Sequence, residues 1–306
     1  MSQSGRGVSN PSYALMQGEV HVNDAEGSWA MVTQRGTRNM MLFAGALGGI
    51  VAGAYGVITH QSNLAREIIG LPESDPPRAD GVYLPDGSGP VSRGERPLRF
   101  AMLGDSMAAG LGVDTPDQLP AVMSAKGLSE ESGRPVRCNT YAVVGATTAD
   151  LAAQVTAAIS DGTDVALVII GGNDVTSRMT IGSSVNLLTA QIRRLRRAGI
   201  GVVVGTCPDM AAIKPIPQPL RTVASTWSLA LAKAQRTAAQ QAGAHTVLLS
   251  EVISPEFVQR ADELFSGDHF HPNAIGYEGA CAVMLPALCA AAGIWRSASR
   301  SGMLYS

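Results

Sequence analysis

The sequence predicts an α/β protein in which helices cover both faces of a parallel sheet. From Leu98 onward, short apolar runs alternate with helix-length stretches, a pattern typical of βαβ units with right-handed crossovers. Some runs, such as residues 165–170, are apolar at every position, as expected for strands that are buried on both faces. The predicted strands are residues 99–103, 137–141, 165–170, 200–206 and 246–249.

The helix-length stretches lie between and after these strands. They are residues 118–132, 148–161, 182–198, 219–242 and 273–292. The chain of 306 residues is long enough for one α/β domain of about 200 residues with additional segments. A formal net charge of −2 gives no indication of nucleic-acid binding, so we expect no nucleic-acid partner.

The amino-terminal third is predicted to lie outside this domain. Residues 1–39 are rich in small and polar residues and are interpreted as a disordered cytoplasmic tail. Residues 40–58 carry no charged side chain and could span a bilayer as a helix. Because Arg35 and Arg38 precede this segment, the positive-inside rule places the following residues outside the cytoplasm. We expect a membrane anchor, then a Pro/Gly-rich linker at 59–97, an extracytoplasmic domain at 98–294 and a tail at 295–306.

Two alternatives for residues 40–58 remain open. The segment could be a cleaved signal peptide, which would make the protein secreted. Its apolar run is long for a signal peptide, and no small-x-small cleavage site follows it. It could also be a buried helix of a soluble domain, although its flanking stretches offer it nothing to pack against.

The four cysteines predict neither a zinc site nor a disulfide. No pair has zinc-ligand spacing. Cys281 and Cys289 fall on one predicted helix at a separation of about 12 Å, which is too far for a disulfide. Cys138 and Cys207 lie on or near strands that are not expected to be neighbours. We therefore predict free, mostly buried thiols.

A Gly-Asp-Ser turn follows the first predicted strand. Gly104, Asp105 and Ser106 come directly after an apolar run, which places the Ser106 hydroxyl at the carboxyl end of a strand. Open α/β sheets bind their ligands at this edge. Ser106 is therefore the candidate nucleophile, and a helix N-cap is the alternative interpretation.

The candidate base lies near the carboxyl terminus, in residues 268–272. A neutral imidazole accepts a proton near neutral pH, so His271 can activate a serine. Asp268 can accept a hydrogen bond from Nδ1 of His271, which leaves Nε2 to face Ser106. Asn273 is predicted to cap the last helix. His269 is interpreted as a loop residue, because no further metal-ligating cluster accompanies it, and we expect no metal and no cofactor.

Three positions are candidates for an oxyanion hole, which needs hydrogen-bond donors at fixed positions. The Ser106 amide is available if the turn begins a helix. Gly145 lacks a Cβ atom, so its amide can approach a substrate closely. Asn173, which follows two glycines, offers a side-chain amide. The alternatives are close packing for Gly145 and an ordinary turn role for Asn173.

The order of these motifs resembles the SGNH (GDSL-type) hydrolase family, in which Ser, Gly, Asn and His follow one another. The resemblance covers about residues 98–292 and implies a flavodoxin-like three-layer α/β/α sandwich with a five-stranded parallel sheet. It also implies a serine esterase with Ser106, Asp268 and His271 as its catalytic triad, and with Ser106, Gly145 and Asn173 as its oxyanion donors. The Gly-x-Ser-x-Gly elbow of α/β-hydrolase lipases is absent.

The loop at residues 207–219 follows the fourth predicted strand, on the site side of the sheet. Met210, Ile213 and Ile216 are the candidate substrate-binding residues for an acyl group, and packing on the core is the equal alternative. Because aromatic residues are few and no large lid insertion is evident, we expect short to medium acyl esters. Two further functions remain open: an O-deacetylase or acyltransferase acting on cell-envelope glycans, and a non-catalytic envelope protein.

Overall fold

A mixed sheet forms the centre of the fold. The computed structural model describes residues 56–57, 59–61, 64, 75–91 and 96–295. In this part of the chain the sheet has six strands in the order β1-β3-β2-β4-β5-β6. Strands β2 to β6 are parallel to one another, and β1 runs antiparallel to β3. The strands are β1 (Gly81–Tyr83), β2 (Leu98–Gly104), β3 (Val136–Thr140), β4 (Val165–Ile169), β5 (Gly201–Gly205) and β6 (His245–Val247).

Strand β1 corrects the prediction of a five-stranded, purely parallel sheet. It lies in the stretch that we expected to be a linker. The strand has only three residues and is flanked by Pro and Gly residues, so the sequence pattern did not predict it. Its side chains are nevertheless part of the core, since Val82 and Tyr83 are fully buried. The Tyr83 hydroxyl donates to the carbonyl of Ala79 at 2.6 Å, and Ser129 donates to the carbonyl of Tyr83 at 3.1 Å.

Ten α-helices accompany the sheet within residues 96–295. They are α1 (Ser106–Ala109), α2 (Pro120–Ser132), α3 (Leu151–Ser160), α4 (Gly172–Thr176), α5 (Ile181–Arg197), α6 (Leu220–Gln241), α7 (Leu249–Val252), α8 (Ser254–Gln259), α9 (Ala261–Leu264) and α10 (Ala274–Ala291). The five predicted helices correspond to α2, α3, α5, α6 and α10. Asn273 caps α10 as predicted, because its side chain accepts hydrogen bonds from the amides of Ile275 and Gly276.

Two hydrophobic cores lie on opposite faces of the sheet, which gives the predicted three-layer arrangement. Phe100 and Met102 of β2 pack in one core with residues of α2 and α10. Ala101 and Leu103 of the same strand pack in the other core with residues of α3 and α5. Because alternate side chains of β2 enter different cores, the positions from Phe100 to Leu103 are all apolar, whereas Arg99 near the start of the strand is exposed.

Helix α10 is the one helix in the described residues that is long and apolar enough to cross a membrane by length and composition. Its residues Met284 and Leu288 are buried in the core that contains Phe100, as expected for a core helix. The predicted membrane segment, 40–58, lies outside the described residues except for Gly56 and Val57. The four cysteines are free and buried, as predicted.

Candidate active site

The turn after β2 places Ser106 at the carboxyl edge of the sheet. Gly104 has φ +139°, and a Cβ atom there would lie 1.8 Å from the carbonyl oxygen of Ile169, so the position requires glycine. The Asp105 side chain caps α1 by accepting a hydrogen bond from the amide of Met107 at 3.0 Å. Ser106 is therefore the first residue of α1, and the alternative of a Ser106 N-cap is wrong.

A chain of hydrogen bonds joins Ser106, His271 and Asp268. Ser106 Oγ lies 2.9 Å from Nε2 of His271, and Nδ1 of the same ring lies 2.6 Å from Oδ2 of Asp268. An ionised carboxylate can only accept, so the proton of a neutral imidazole lies on Nδ1 and Nε2 accepts from the serine. Oδ1 of Asp268 accepts from the Ser266 hydroxyl at 2.8 Å and from the amides of Phe270 and His271 at 2.8 and 2.9 Å.

These contacts keep Asp268 ionised. Partial burial raises the pKa of the Asp268 carboxyl, but hydrogen bonds from the His271 ring and from backbone amides outweigh burial and leave the pKa well below its ordinary value. His271 is 7% exposed, and its ring contacts the edge of the Phe270 ring at a centroid distance of 4.8 Å. The imidazole is thus held from two sides, while its Nε2 faces the serine.

Asp105, which directly precedes Ser106, carries a second buried carboxyl group. Burial raises the pKa of Asp105 to about 7, and the charge of Asp174 adds to this shift. Asp174 is fully buried and accepts hydrogen bonds from the amide and hydroxyl of Thr148 and from the hydroxyl of Ser184. Asp174 therefore ties the segment after β4 to the segment that contains Gly145.

The three predicted oxyanion donors come from the ends of neighbouring strands. In the described part of the chain, the amides of Ser106 and Gly145 form no hydrogen bond. Asn173, in α4, donates one side-chain N–H to the carbonyl of Ala146 at 3.0 Å and has a second N–H to offer. A Cβ atom on Gly145 would meet nothing within 4 Å, so close packing does not explain this glycine. Its φ of +81° explains it, because residues other than glycine rarely adopt this backbone conformation.

Two buried glutamines fix the strand ends around the site, and the sequence analysis missed both. Gln154 of α3 pairs with both backbone groups of Gly104, at 2.8 and 2.9 Å. Gln235 of α6 accepts from the amide of Cys207 at 2.8 Å and donates to the carbonyl of Ile170 at 3.0 Å. Each amide side chain thus donates to one backbone carbonyl and accepts from one backbone amide at the carboxyl edge of the sheet.

An apolar cavity of about 70 Å³ lies beside Ser106. Met210 and Ile213 line this cavity, and their role in binding an acyl group stays a prediction. Ile216 does not line the cavity; it packs in the apolar cluster that also contains Met210, Ile213 and Ala224. That outcome matches the alternative of core packing for this residue.

The far side of the cavity comes from a segment that the sequence analysis left unassigned. Helices α7, α8 and α9, together with Phe265, form the short-helix segment (residues 249–265). It contributes Leu249, Ile253, Phe257 and Phe265 to the lining, so this segment forms part of the cavity wall. These four apolar residues are spaced by multiples of four. This helical periodicity in the sequence could have indicated a helical segment with one apolar face.

The described residues contain no cluster of three or more His, Cys, Asp or Glu side chains that could hold a metal ion. His269 has φ +54° and lies in the loop between the short-helix segment and α10. The reactive groups that meet at the sheet edge are a serine hydroxyl and an imidazole, with N–H donors nearby.

A mostly parallel sheet between helical layers, with a serine hydrogen-bonded to a histidine at its carboxyl edge, is the arrangement expected from the resemblance to the SGNH class of hydrolases. The sequence matches the model of the GDSL-like Lipase/Acylhydrolase family over residues 102–278. The chain belongs to this family and is a hydrolase of the esterase class, as the resemblance predicted.

Two individual similarities complete the comparison. The chain is 41% identical to the GDSL-like esterase Rv1075c of Mycobacterium tuberculosis (strain ATCC 25618 / H37Rv) over 254 residues, which cover 80% of this chain and 81% of that protein. The crystal structure of TesA matches with a TM-score of 0.51 at 21% identity, covering 63% of this chain and 99% of TesA. The TesA match concerns the fold alone.

Proposed function

We propose that this protein is a serine esterase that hydrolyses short to medium acyl esters through an acyl-enzyme on Ser106. The single observation that carries the proposal is the continuous hydrogen-bond chain from Ser106 Oγ through His271 to Asp268, with distances of 2.9 and 2.6 Å. A nucleophile within hydrogen-bond reach of a base, and a base oriented by a carboxylate, are the requirements for this chemistry.

In the first step, Ser106 Oγ attacks the carbonyl carbon of the ester while its proton passes to Nε2 of His271. The resulting imidazolium is stabilised by the Asp268 carboxylate, which stays ionised because its pKa is held below the ordinary value. Collapse of the tetrahedral intermediate breaks the bond to the alcohol, and His271 returns the proton to the leaving oxygen. The acyl group remains on Ser106.

The negative charge of the tetrahedral oxygen needs donors that are already in place. The Ser106 and Gly145 amides and the second N–H of Asn173 are proposed for this role. Gly145 and Asn173 support it jointly, because the Asn173 side chain bonds to the residue after Gly145 at 3.0 Å. A donor set held by the protein itself needs no reorganisation when the charge develops.

In the second step, water attacks the acyl-enzyme and His271 removes its proton. The new tetrahedral intermediate collapses, the acid leaves, and the proton returns to Ser106 Oγ. The acyl chain is proposed to occupy the cavity lined by Met210 and Ile213. A cavity of about 70 Å³ holds roughly two groups of the size of a water molecule, at about 30 Å³ each, which supports short acyl chains.

The test is hydrolysis of p-nitrophenyl butyrate by the wild-type protein and by Ser106→Ala. The wild type should turn over the ester, and the variant should lose turnover to background while keeping the wild-type circular dichroism spectrum. Turnover of the ester by a folded Ser106→Ala variant would contradict the proposal.

We further propose that residues 40–58 anchor the protein in a membrane with the hydrolase domain outside the cytoplasm. The uncharged segment and the preceding Arg35 and Arg38 support this topology. The full chain should stay in the membrane fraction after an alkaline wash, and detergent should release it. A shortened chain in the medium, beginning after residue 58, would instead indicate a cleaved signal peptide.

A further inference from the structure

The acyl cavity beside Ser106 ends at a wall formed by Ile253 and Phe257. Phe257 belongs to α8 and is 7% exposed. On one side its ring meets Phe265 edge-on, with ring centroids 5.0 Å apart and planes at 75°. On the other side it packs on α10, where a Cβ atom added to Gly276 would lie 2.8 Å from the tip of the ring. The ring is therefore held between two neighbours.

A second space lies behind this wall; most of its lining is apolar, and Glu256 and Glu278 also line it. We call it the rear groove; its volume is about 260 Å³, and Ile253 and Phe257 line it as well as the acyl cavity. Val252, Ile275 and Val283 form its outer rim, with exposures of 52%, 56% and 38%. Because the same two side chains line both spaces, they form the partition between them.

We propose that Phe257 is the stop that sets the acyl-chain length of this esterase, and that its substrates are esters of acids with about two to four carbons. The inference rests on the proposed function. The acyl cavity holds roughly two groups of the size of a water molecule, so a longer chain must displace the Phe257 ring. Displacement breaks the contact with Phe265, and movement towards Gly276 is blocked because the tip of the ring already lies close to that residue.

The test compares kcat/KM for p-nitrophenyl octanoate and p-nitrophenyl butyrate in the wild type and in Phe257→Ala. Removing the ring joins the acyl cavity to the rear groove, so the octanoate-to-butyrate ratio should rise about tenfold or more. Each additional buried methylene is worth roughly a fourfold gain, and octanoate places at least two beyond the wall. Phe257→Val, which makes a smaller opening, should shift the ratio in the same direction by less.

Gly279 offers a matched control, because it lines the rear groove but not the acyl cavity. It lies in α10, where a Cβ atom would meet nothing within 4 Å, so Gly279→Phe should fill the groove without disturbing the helix. Gly279→Phe alone should leave the octanoate-to-butyrate ratio at the wild-type value. Combined with Phe257→Ala, it should return the raised ratio towards that value.

Two results would overturn the inference. One is an unchanged ratio in Phe257→Ala and Phe257→Val proteins that still hydrolyse butyrate. The other is a raised ratio that persists when Gly279→Phe is added, because the longer chain would then leave the cavity by another route. Failure of the proposed function looks different, since butyrate hydrolysis would then survive Ser106→Ala in the wild-type background.

Discussion

The carboxyl edge of the sheet and the short-helix segment contribute to the same site in different ways. The sheet edge carries Ser106, Gly145 and Asn173, each placed by the end of a buried strand. Its backbone is fixed by Gln154, which pairs with both backbone groups of Gly104. The short-helix segment contributes apolar side chains on helices of four to six residues.

The sheet edge thus supplies the groups for the chemical reaction, and the short-helix segment supplies the surface that selects the acyl chain. A group that must meet a reacting atom has to be held within a fraction of an ångström, which a hydrogen-bonded strand end achieves. An acyl chain needs only apolar volume, which side-chain packing in short helices supplies. His271 joins the two regions: it follows the short-helix segment, yet its ring bonds to Ser106 on the sheet edge at 2.9 Å.

The largest expected effect comes from the residue that connects the two regions. His271→Ala removes the base, so kcat should fall by roughly 10⁴- to 10⁶-fold. The loss should be equal for all acyl chain lengths, because proton transfer does not depend on the chain. Steady-state kinetics on butyrate and octanoate esters measure it. A loss of less than tenfold would mean that His271 is not the base.

Asn173→Ala tests the sheet edge alone. Removing one oxyanion donor should lower kcat by roughly 10²- to 10³-fold, or about 3 kcal/mol of transition-state stabilisation. The octanoate-to-butyrate ratio should stay at the wild-type value, in contrast to Phe257→Ala, which changes that ratio. Unchanged kcat would rule out the oxyanion role, and an altered ratio would break the separation between the two regions.

The smallest expected effect concerns how the Asp105 carboxyl makes the free energy of unfolding depend on pH. Burial raises the pKa of Asp105 to about 7 from an ordinary 3.8. Its contribution to stability is therefore fully present below about pH 4 and is lost as the pH rises to 7. Relative to Asp105→Asn, the wild type should lose at most about 1.4 kcal/mol of unfolding free energy per pH unit across this window.

Urea unfolding of the two proteins between pH 4 and pH 8 gives this difference. Asp150→Asn is the control, since hydrogen bonds from Thr147 hold the pKa of the Asp150 carboxyl below its ordinary value. The stability that this carboxyl provides is lost only as the pH falls below about 4. The difference in unfolding free energy between wild type and Asp150→Asn should therefore not change from pH 4 to 7. A flat result for Asp105→Asn as well would show that Asp105 is ionised throughout.

The same contrast explains what the sequence could predict. Strands β2, β4 and β5 were predicted because consecutive side chains are apolar and buried, which makes these strands visible as apolar runs. Strands β3 and β6 are only partly buried and were predicted from shorter apolar stretches. Ser106, Gly145, Asn173 and His271 were identified because their residue types are demanded by the chemistry or the backbone. Gly145 is the clearest case, since its φ of +81° favours glycine whatever surrounds it.

The remaining features depend on contacts between distant segments. Strand β1 has three residues and no pattern of its own, and its pairing with β3 creates it. Phe257 becomes a wall only because Gly276, on a different helix, leaves room for its ring. Ile216 has the same residue type and loop as Ile213, yet only Ile213 lines the cavity. Residue type alone does not distinguish these two isoleucines.

The central claim is that Ser106 is the activated nucleophile, and covalent labelling tests it most directly. The full-length protein is treated with a fluorophosphonate at neutral pH, and the modified peptide is sequenced by mass spectrometry. One phosphonyl group should be found, attached to Ser106 and absent from His271→Ala within the same reaction time. Labelling at another residue, or equally fast labelling of Ser106 without His271, would contradict the account.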